Sequence, residues 1–223
     1  MEITVPVMSG LFRGIASEDG RRLLVGLGAS IRHIPKEGVV LREGQPKRNI
    51  GVLLDGLLEM YETDADGCRS IVGTVRPQES FALVFAFANV ERHPATVVAR
   101  TDSTILVIPL ARVMPQGGMT LDDTHRRFLD NLLREVSETA WTLRSRAFIL
   151  SRRSTEDRLM TYLRERMHAE GASAFDIPFD RQALADFLCV DRSALSTVIG
   201  KLARRGVLKY RKNHFELTDR ANV

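Results

Sequence analysis

The sequence predicts an α+β protein in three parts: an N-terminal antiparallel β-roll (jelly-roll), one long helix, and a C-terminal winged helix-turn-helix. Three observations carry that expectation. Strand-length runs separated by glycine turns fill positions 31 to 110. An apolar seam at alternating spacings of four and three follows, from Leu129 to Leu150. Two short helical patterns, divided by a break too brief for more than a turn, then precede a hairpin pattern. The expected boundaries are 1–118 for the β-roll, 119–150 for the long helix and 151–223 for the helix-turn-helix part.

The bulk numbers agree with a globular chain of this kind. It has 223 residues, of which 44% are hydrophobic and 27% charged, enough for each part to bury a core. The net charge of +4 is unevenly placed. Residues 151–223 hold 14 Lys/Arg against 10 Asp/Glu, while residues 1–150 balance at 18 against 18. The excess therefore sits at the helix-turn-helix end, as an electrostatic footprint for nucleic acid requires. The start, Met1-Glu-Ile-Thr4, lacks a basic stretch followed by an apolar core. No run, the apolar one over 80–90 included, approaches the roughly 18 residues that span a bilayer. No membrane association and a cytoplasmic location are expected. Cys68 and Cys189 are the only cysteines and form no ligand spacing, so no metal site is expected and a reducing compartment fits.

In chain order, Ser17-Glu-Asp19 starts a short helix with Leu23, Leu24 and Leu27 on its inner face. Strands are expected at Gly38-Val-Val-Leu41, Ile50-Gly-Val-Leu-Leu54, Leu57-Leu-Glu-Met-Tyr61, Ser70-Ile-Val72, Ala95-Thr-Val-Val-Ala99 and Thr104-Ile-Leu-Val-Ile108. Asp55-Gly56 and Asp66-Gly67 are hairpin signals. Short strands at near-regular intervals point to an antiparallel barrel or jelly roll. Pro115-Gln-Gly-Gly118 closes this part. No Pro or Gly interrupts 120–154, and at about 1.5 Å per residue the helix there is a rod on the order of 45 Å. Its seam is Leu129, Leu133, Val136, Ala140, Leu143, Ala147 and Leu150, which is either a core stripe or a homodimer interface. Ser151-Arg-Arg-Ser154 is the expected hinge. Ser154-Thr-Glu-Asp157 caps the next helix, which carries Leu159, Tyr162 and Leu163 inward, and a Gly/Ala/Ser loop is expected over 168–176.

Asp180 then stands at an N-cap position, with Leu184, Phe187 and Leu188 at i, i+3, i+4. Asp191 caps a second helix, whose Leu195, Val198, Ile199 and Leu202 fall at i, i+3, i+4, i+7. The opposite face carries Arg192, Ser193, Ser196, Thr197, Gly200 and Lys201, with no acid. Such a helix buries one side and can lay the other along a major groove. Gly206 ends it, and two short strands turn near Lys212 and Asn213. From Arg192 to Lys212 there are seven basic residues and no acidic one.

Several stretches match a known family in order and spacing. They are Leu11-Phe12, Pro35-Lys-Glu-Gly-Val-Val-Leu-Arg-Glu-Gly44, Gly56, Ala95-Thr-Val-Val-Ala99 and Phe179-Asp-Arg-Gln-Ala-Leu-Ala-Asp-Phe-Leu188. Over nearly its full length the chain resembles the Crp/Fnr superfamily of bacterial transcription regulators. The resemblance implies a homodimer that binds palindromic promoter DNA and recruits or blocks RNA polymerase. Carried across by position, it implies base readout by Arg192, Ser193, Ser196 and Thr197, with Arg192 able to fork onto guanine O6 and N7. It implies phosphate contacts by Arg181, Gln182, Lys201, Arg204, Arg211 and Lys212. Many relatives carry glutamate where Ser193 stands and arginine where Thr197 stands, so their commonest half-site is not implied here.

The first part departs further. Cyclic-nucleotide binders of the family have Gly-Glu after the sixth strand and Arg-Ser or Arg-Thr before the Ala-Thr-Val strand. Here those positions read Ala82-Leu83 and His93-Pro94. A cyclic phosphate would find no charge partner there, which argues against cyclic AMP. Phe81-Ala-Leu-Val-Phe-Ala-Phe-Ala88 is apolar instead, and either fills the core or lines a pocket for a small organic effector or haem. The candidate pocket residues are Phe81, Phe85, Phe87, His93 and Trp141. An iron–sulfur cluster needs four thiolates, and the chain has two. Cys189 occupies the turn position where a left-handed backbone favours glycine. It is either a tolerated small residue or a thiol whose oxidation shifts the following helix.

No catalytic residues are expected. A jelly-roll metal oxygenase needs clustered ligands, but positions 31–110 hold only His33 and His93, and no phosphate-binding loop or Gly-x-Ser-x-Gly occurs. A helix-turn-helix used only for protein contact is the other alternative, and salt-sensitive DNA affinity separates it from a regulator.

Overall fold

The computed structural model describes residues 6, 8–46, 48–64, 66–88, 91–114 and 121–218. Residues 1–4 and 115–118, on which the readings of the chain start and of the first boundary rest, lie outside them. The chain divides into two compact units, Met1–Thr139 and Ala140–Val223. Among the described residues no helix is long and apolar enough to cross a membrane.

The first unit opens on a 3-10 turn, Gly10–Phe12, and helix α1, Ser17–Gly26. Strands β1 (Ser30–Ile34), β2 (Val39–Leu41), β3 (Asn49–Asp55), β4 (Leu58–Thr63), β5 (Arg69–Val75) and β6 (Ser80–Phe81) follow. Helix α2 (Leu83–Phe87), β7 (Thr96–Ala99), β8 (Ser103–Pro109), the short α3 (Leu110–Val113) and the start of α4 (Asp123–Leu150) complete it. The strands make two antiparallel sheets, ordered β1-β8-β3-β6 and β2-β7-β4-β5. The expected β-roll is therefore present. Two stretches differ from expectation. The apolar stretch from Phe81, to which no strand or helix is assigned from sequence, folds into β6 and α2, and β1 goes unannounced because Arg32 and His33 interrupt its apolar pattern.

Strand β8 explains the layering, because its alternate residues are buried on opposite faces. Ile105 and Val107 join Leu53, Leu58 and Val97 between the sheets. Leu106 and Ile108 join Leu24, Phe128 and Leu132 on the side covered by the helices. Two glycines are required. A Cβ on Gly51 would stand 2.1 Å from the Phe81 ring, so only glycine lets that ring lie against β3. Gly56 has φ of 101° and packs against Ser103 and the Asp102 carbonyl.

The N-terminal half of α4 is tied into this unit. Phe128 and Leu132 are buried in its helix-side core, each contributing roughly 1.5–3 kcal/mol of apolar burial. Asn131 Nδ2 donates to the carbonyls of Leu11 (3.1 Å) and Arg13 (2.9 Å). The Ser80 hydroxyl donates to Glu135 Oε1, while Oε2 is buried with no hydrogen-bond donor. Burial therefore holds the Glu135 carboxyl above the ordinary carboxylate range, against the lowering effect of the Ser80 bond.

The second unit continues α4 and adds α5 (Thr155–Glu170), β9 (Ala174–Asp176), α6 (Arg181–Phe187), α7 (Arg192–Arg204), β10 (Leu208–Arg211) and β11 (His214–Leu217). Its sheet runs β10-β11-β9. The loop expected over 168–176 is corrected here: β9 pairs with β11, placing Phe175 opposite Phe215. Three residues among Gly, Ala and Ser carry no strand signal of their own, and the partner strand supplies it. Ser154 caps α5 by accepting from Asp157 N at 3.0 Å, and Asp180 caps α6 by accepting from Ala183 N at 2.8 Å. Asp191 stands at the α7 N-cap position but makes no side-chain cap bond.

Helices α6 and α7 end in the same backbone motif. Val190 N donates to Ala185 O and Cys189 N to Asp186 O. Likewise Val207 N donates to Leu202 O and Gly206 N to Ala203 O. Each is a Schellman end with a left-handed residue at its centre. That residue is Gly206 (φ 70°) in one and Cys189 (φ 52°) in the other.

Two predictions follow from these local conflicts. Replacing Cys189 by glycine removes a left-handed Cβ, so urea denaturation of Cys189→Gly should give a gain of about 0.5–1 kcal/mol; equal or lower stability contradicts the strain. Because the raised Glu135 pKa favours the neutral acid in the fold, wild-type stability falls as pH rises through that pKa. Glu135→Gln should therefore be more stable than wild type at pH 7, with the gain vanishing below the ordinary value of 4.5. A gain that persists in acid, or none at pH 7, contradicts it.

Candidate functional site

Helix α7 separates cleanly into two faces. Leu195, Ile199 and Leu202 are buried against α5, α6 and the small sheet, with Val198 packed beside them. Arg192, Ser193, Ser196, Thr197, Lys201 and Arg204 are exposed. The Ser196 and Thr197 hydroxyls donate back to the carbonyls of Arg192 (2.9 Å) and Ser193 (3.0 Å). That leaves their oxygens as acceptors toward solvent. Among the described residues no carboxylate lies within ion-pair distance of Arg192, Arg204, Arg211 or Lys212.

The remaining expected contacts are differently occupied. Arg181 is half-buried, and its Nη2 donates to the Lys212 carbonyl at 3.4 Å across the strand turn. Its guanidinium lies 5.5 Å from the Tyr210 ring centre and 5.8 Å from that of Phe215, and burial lowers its pKa. This side chain holds the wing against α6. Gln182 Nε2 donates to Asp186 at 2.8 Å. Lys201 and Arg205 both face Glu156, at 4.0 and 2.6 Å.

Sequence reasoning missed Arg158. From α5 its Nε donates to the Arg152 carbonyl at 3.0 Å, inside the segment joining α4 to α5. Its Nη1 donates to the carbonyls of Leu188 (3.1 Å) and Cys189 (3.2 Å), in the turn before α7. One side chain thus fixes the junction and the turn relative to each other. No periodicity signals such a link across 30 residues. Beside it Tyr162 packs on Phe187 and Phe179, with ring centres 5.3 and 6.0 Å away. Burial pushes its phenol up to about 12, so it stays neutral. Arg146 of α4 lies 5.4 Å over the Phe187 ring.

In the first unit a cavity of about 390 Å³ opens inside the β-roll. Of the five expected pocket residues, Phe81 and His93 line it, and both are buried. Phe85 and Phe87 sit on α2 and are not in the lining; Phe87 is exposed. Trp141 belongs to the second unit, is 66% exposed and lies under the Arg144 guanidinium at 5.1 Å. Leu83 is buried in the helix-side core. Arg32 and Arg48 also line the cavity, and the apolar reading did not foresee them.

The seam of α4 is mostly uncovered within one chain. Leu133 is 65% and Leu143 56% exposed. Ala140 and Ala147 are exposed as well, and Leu129, Val136 and Leu150 are half-buried. Cys68 and Cys189 are both free and exposed.

Comparisons with known proteins divide the chain in the same way. Residues 31–115 match the cyclic nucleotide-binding domain family and residues 157–222 the Crp-like helix-turn-helix domain family. The nitrogen fixation regulation protein FixK of Bradyrhizobium diazoefficiens is 28% identical over 179 residues, covering 77% of this chain and 70% of that protein. Among solved structures, the c-di-GMP responsive global regulator CLP of Xanthomonas campestris aligns with a TM-score of 0.54 at 19% identity, over 91% of this chain and 99% of that one. A putative cAMP-binding regulatory protein of Silicibacter pomeroyi gives 0.50 at 19% identity, over 97% and 94%. At such identities the structures show the fold, and the two domain matches in this order supply the rest: the chain belongs to the Crp/Fnr superfamily of bacterial transcription regulators.

Proposed function

We propose that this regulator acts as a homodimer on palindromic promoter DNA, and that a small molecule held in its β-roll sets the DNA-competent form. The observation that carries the reading is the acid-free exposed face of α7, flanked by the exposed cations Arg204, Arg211 and Lys212, none of which pairs with a carboxylate among the described residues. Arg192 has the reach and fork to read guanine, and the short hydroxyls of Ser193, Ser196 and Thr197 leave room for a close approach to base edges. The wing cations and Gln182 contact phosphates, while Arg181 serves by holding the wing in place. Contact with RNA polymerase follows from family membership.

The exposed part of the seam, Leu133, Ala140, Leu143 and Ala147, supports the dimer. Apolar residues at a 4-3 repeat on an exposed helix face are what a parallel pair buries, and Ala140 and Ala147 permit close backbone approach. In the DNA-competent form of such a pair the two α7 helices would stand about 34 Å apart, the spacing of successive major grooves. Signal transfer needs a link from cavity to helix, and one runs through adjacent residues. Phe81 lines the cavity, and its neighbour Ser80 bonds Glu135 on α4. At the other end, Arg158 couples the segment after α4 to the turn before α7. A ligand shifts this balance only by its affinity difference between the two forms.

Fluorescence anisotropy with an operator selected from random DNA tests the reading. Log affinity should fall steeply and linearly with log salt. Arg211→Ala should flatten that slope by about two, one phosphate contact per subunit. Arg192→Ala should cost roughly 1–3 kcal/mol per half-site on the selected operator and little on random DNA. Equal affinity of wild type for selected and random DNA would sink the proposal.

A further inference from the structure

We propose that Glu135 is a proton-operated latch between α4 and the β-roll: the neutral acid keeps this turn of the helix docked, its ionisation releases it, and the DNA-competent form is thereby responsive to acid. The proposal rests on the reading of the first unit as the part that sets that form, and it adds the proton as a signal.

Glu135 sits one turn after Asn131, on the face of α4 that meets the first unit. Its carboxyl lies where the opening turn, β6 and α4 meet. From β6 the Ser80 hydroxyl donates to Oε1. The opening turn lies against Oε2, since a Cβ on Gly10 would stand 3.2 Å from that oxygen. Oε2 is buried and receives no hydrogen bond. The charged groups that face the carboxyl are Glu138, from the next turn of α4, and Arg13, which follows the opening turn. Arg13 is exposed and makes no ion pair with Glu135 among the described residues. Strand β6, Ser80–Phe81, brings no charge.

An ionised carboxylate has about four acceptor sites, and here it finds one donor and a like charge in Glu138. The neutral acid gives up the charge that burial penalises. Docked, the carboxyl therefore holds its proton more tightly than it does in water, with burial as the main cause. Because the docked pKa is the higher one, the proton favours docking fully below the ordinary value of 4.5. That contribution is lost as pH rises through the docked pKa. Leu133 and Val136 of the expected seam flank Glu135, so releasing this turn reorients the stretch that a second copy would bury. Asn131 keeps its two carbonyl bonds to the opening turn, which confines the release to the turn around Glu135.

Hydrogen exchange of the full-length protein without DNA tests the latch. Wild type is compared with Glu135→Gln, a neutral side chain of the same shape, at matched pH so that intrinsic exchange cancels. At pH 8 the amides of residues 134–139 should exchange at least about threefold faster in the wild type. The ratio should fall toward one at pH 4.5, the ordinary value. A ratio that stays constant over that range marks a packing difference and overturns the proposal, as does slower wild-type exchange at pH 8. Carboxyl-carbon NMR of the wild type is a second readout, with the Glu135 resonance identified by its loss in the variant. A midpoint above 4.5 is expected, and one at or below 4.5 overturns the latch. Operator affinities of the two proteins should converge in acid and differ at least about threefold at pH 8; parallel curves overturn the regulatory role. Exchange and NMR are read without DNA, so a chain that binds no operator fails the DNA-binding reading and leaves the latch to those two measurements.

Discussion

A single helix has to satisfy two apolar faces, and the rest of the molecule is arranged around that constraint. Phe128 and Leu132 commit one face of α4 to the core of the first unit. Leu133, Ala140, Leu143 and Ala147 form another face that is exposed among the described residues, with Leu133 and Leu143 more than half exposed. Apolar area of this extent in water is unfavourable at roughly 25 cal/mol per Å². A second copy of the chain removes it most simply, because the same stripe pairs with itself about a two-fold axis. On that reading the helix is both the spine of the sensor unit and the interface that doubles the DNA reader.

Polar side chains do what apolar packing cannot, which is to fix one element against another in a single register. Asn131 and Glu135 tie α4 to the opening turn and to β6. Arg158 ties the α4–α5 junction to the turn before α7. Arg181 ties the wing to α6. The bonds of Asn131, of Ser80 with Glu135 and of Arg158 with the Arg152 carbonyl end on buried or half-buried groups, so breaking one leaves an orphan polar atom at a cost of about 1–3 kcal/mol. Such links make discrete arrangements rather than gradual ones. A regulator that switches between two forms needs that property.

Much of this was legible in the sequence. Glycine turns at Gly56 and Gly67 and the branched runs between them gave the β-roll. The 4-3 seam gave α4, and Asp180 with the periodic leucines gave the helix-turn-helix. The conformational demand at Cys189 was also readable, because the turn requires a left-handed residue whatever side chain stands there. The misses share a cause. Strands β1, β6 and β9 exist through their partners, and their own residues are charged, few or small. Phe85 and Phe87 looked like pocket residues because an apolar run does not reveal which way a short helix turns. Arg158 acts through positions distant in sequence, and spacing along the chain carries no signal for it.

Sedimentation equilibrium of the full chain at micromolar concentration tests the central claim most directly, since both the palindrome and the coupling depend on the α4 pair. The account predicts a mass of twice the 25.0 kDa chain. A species that remains at the single-chain mass under those conditions contradicts it.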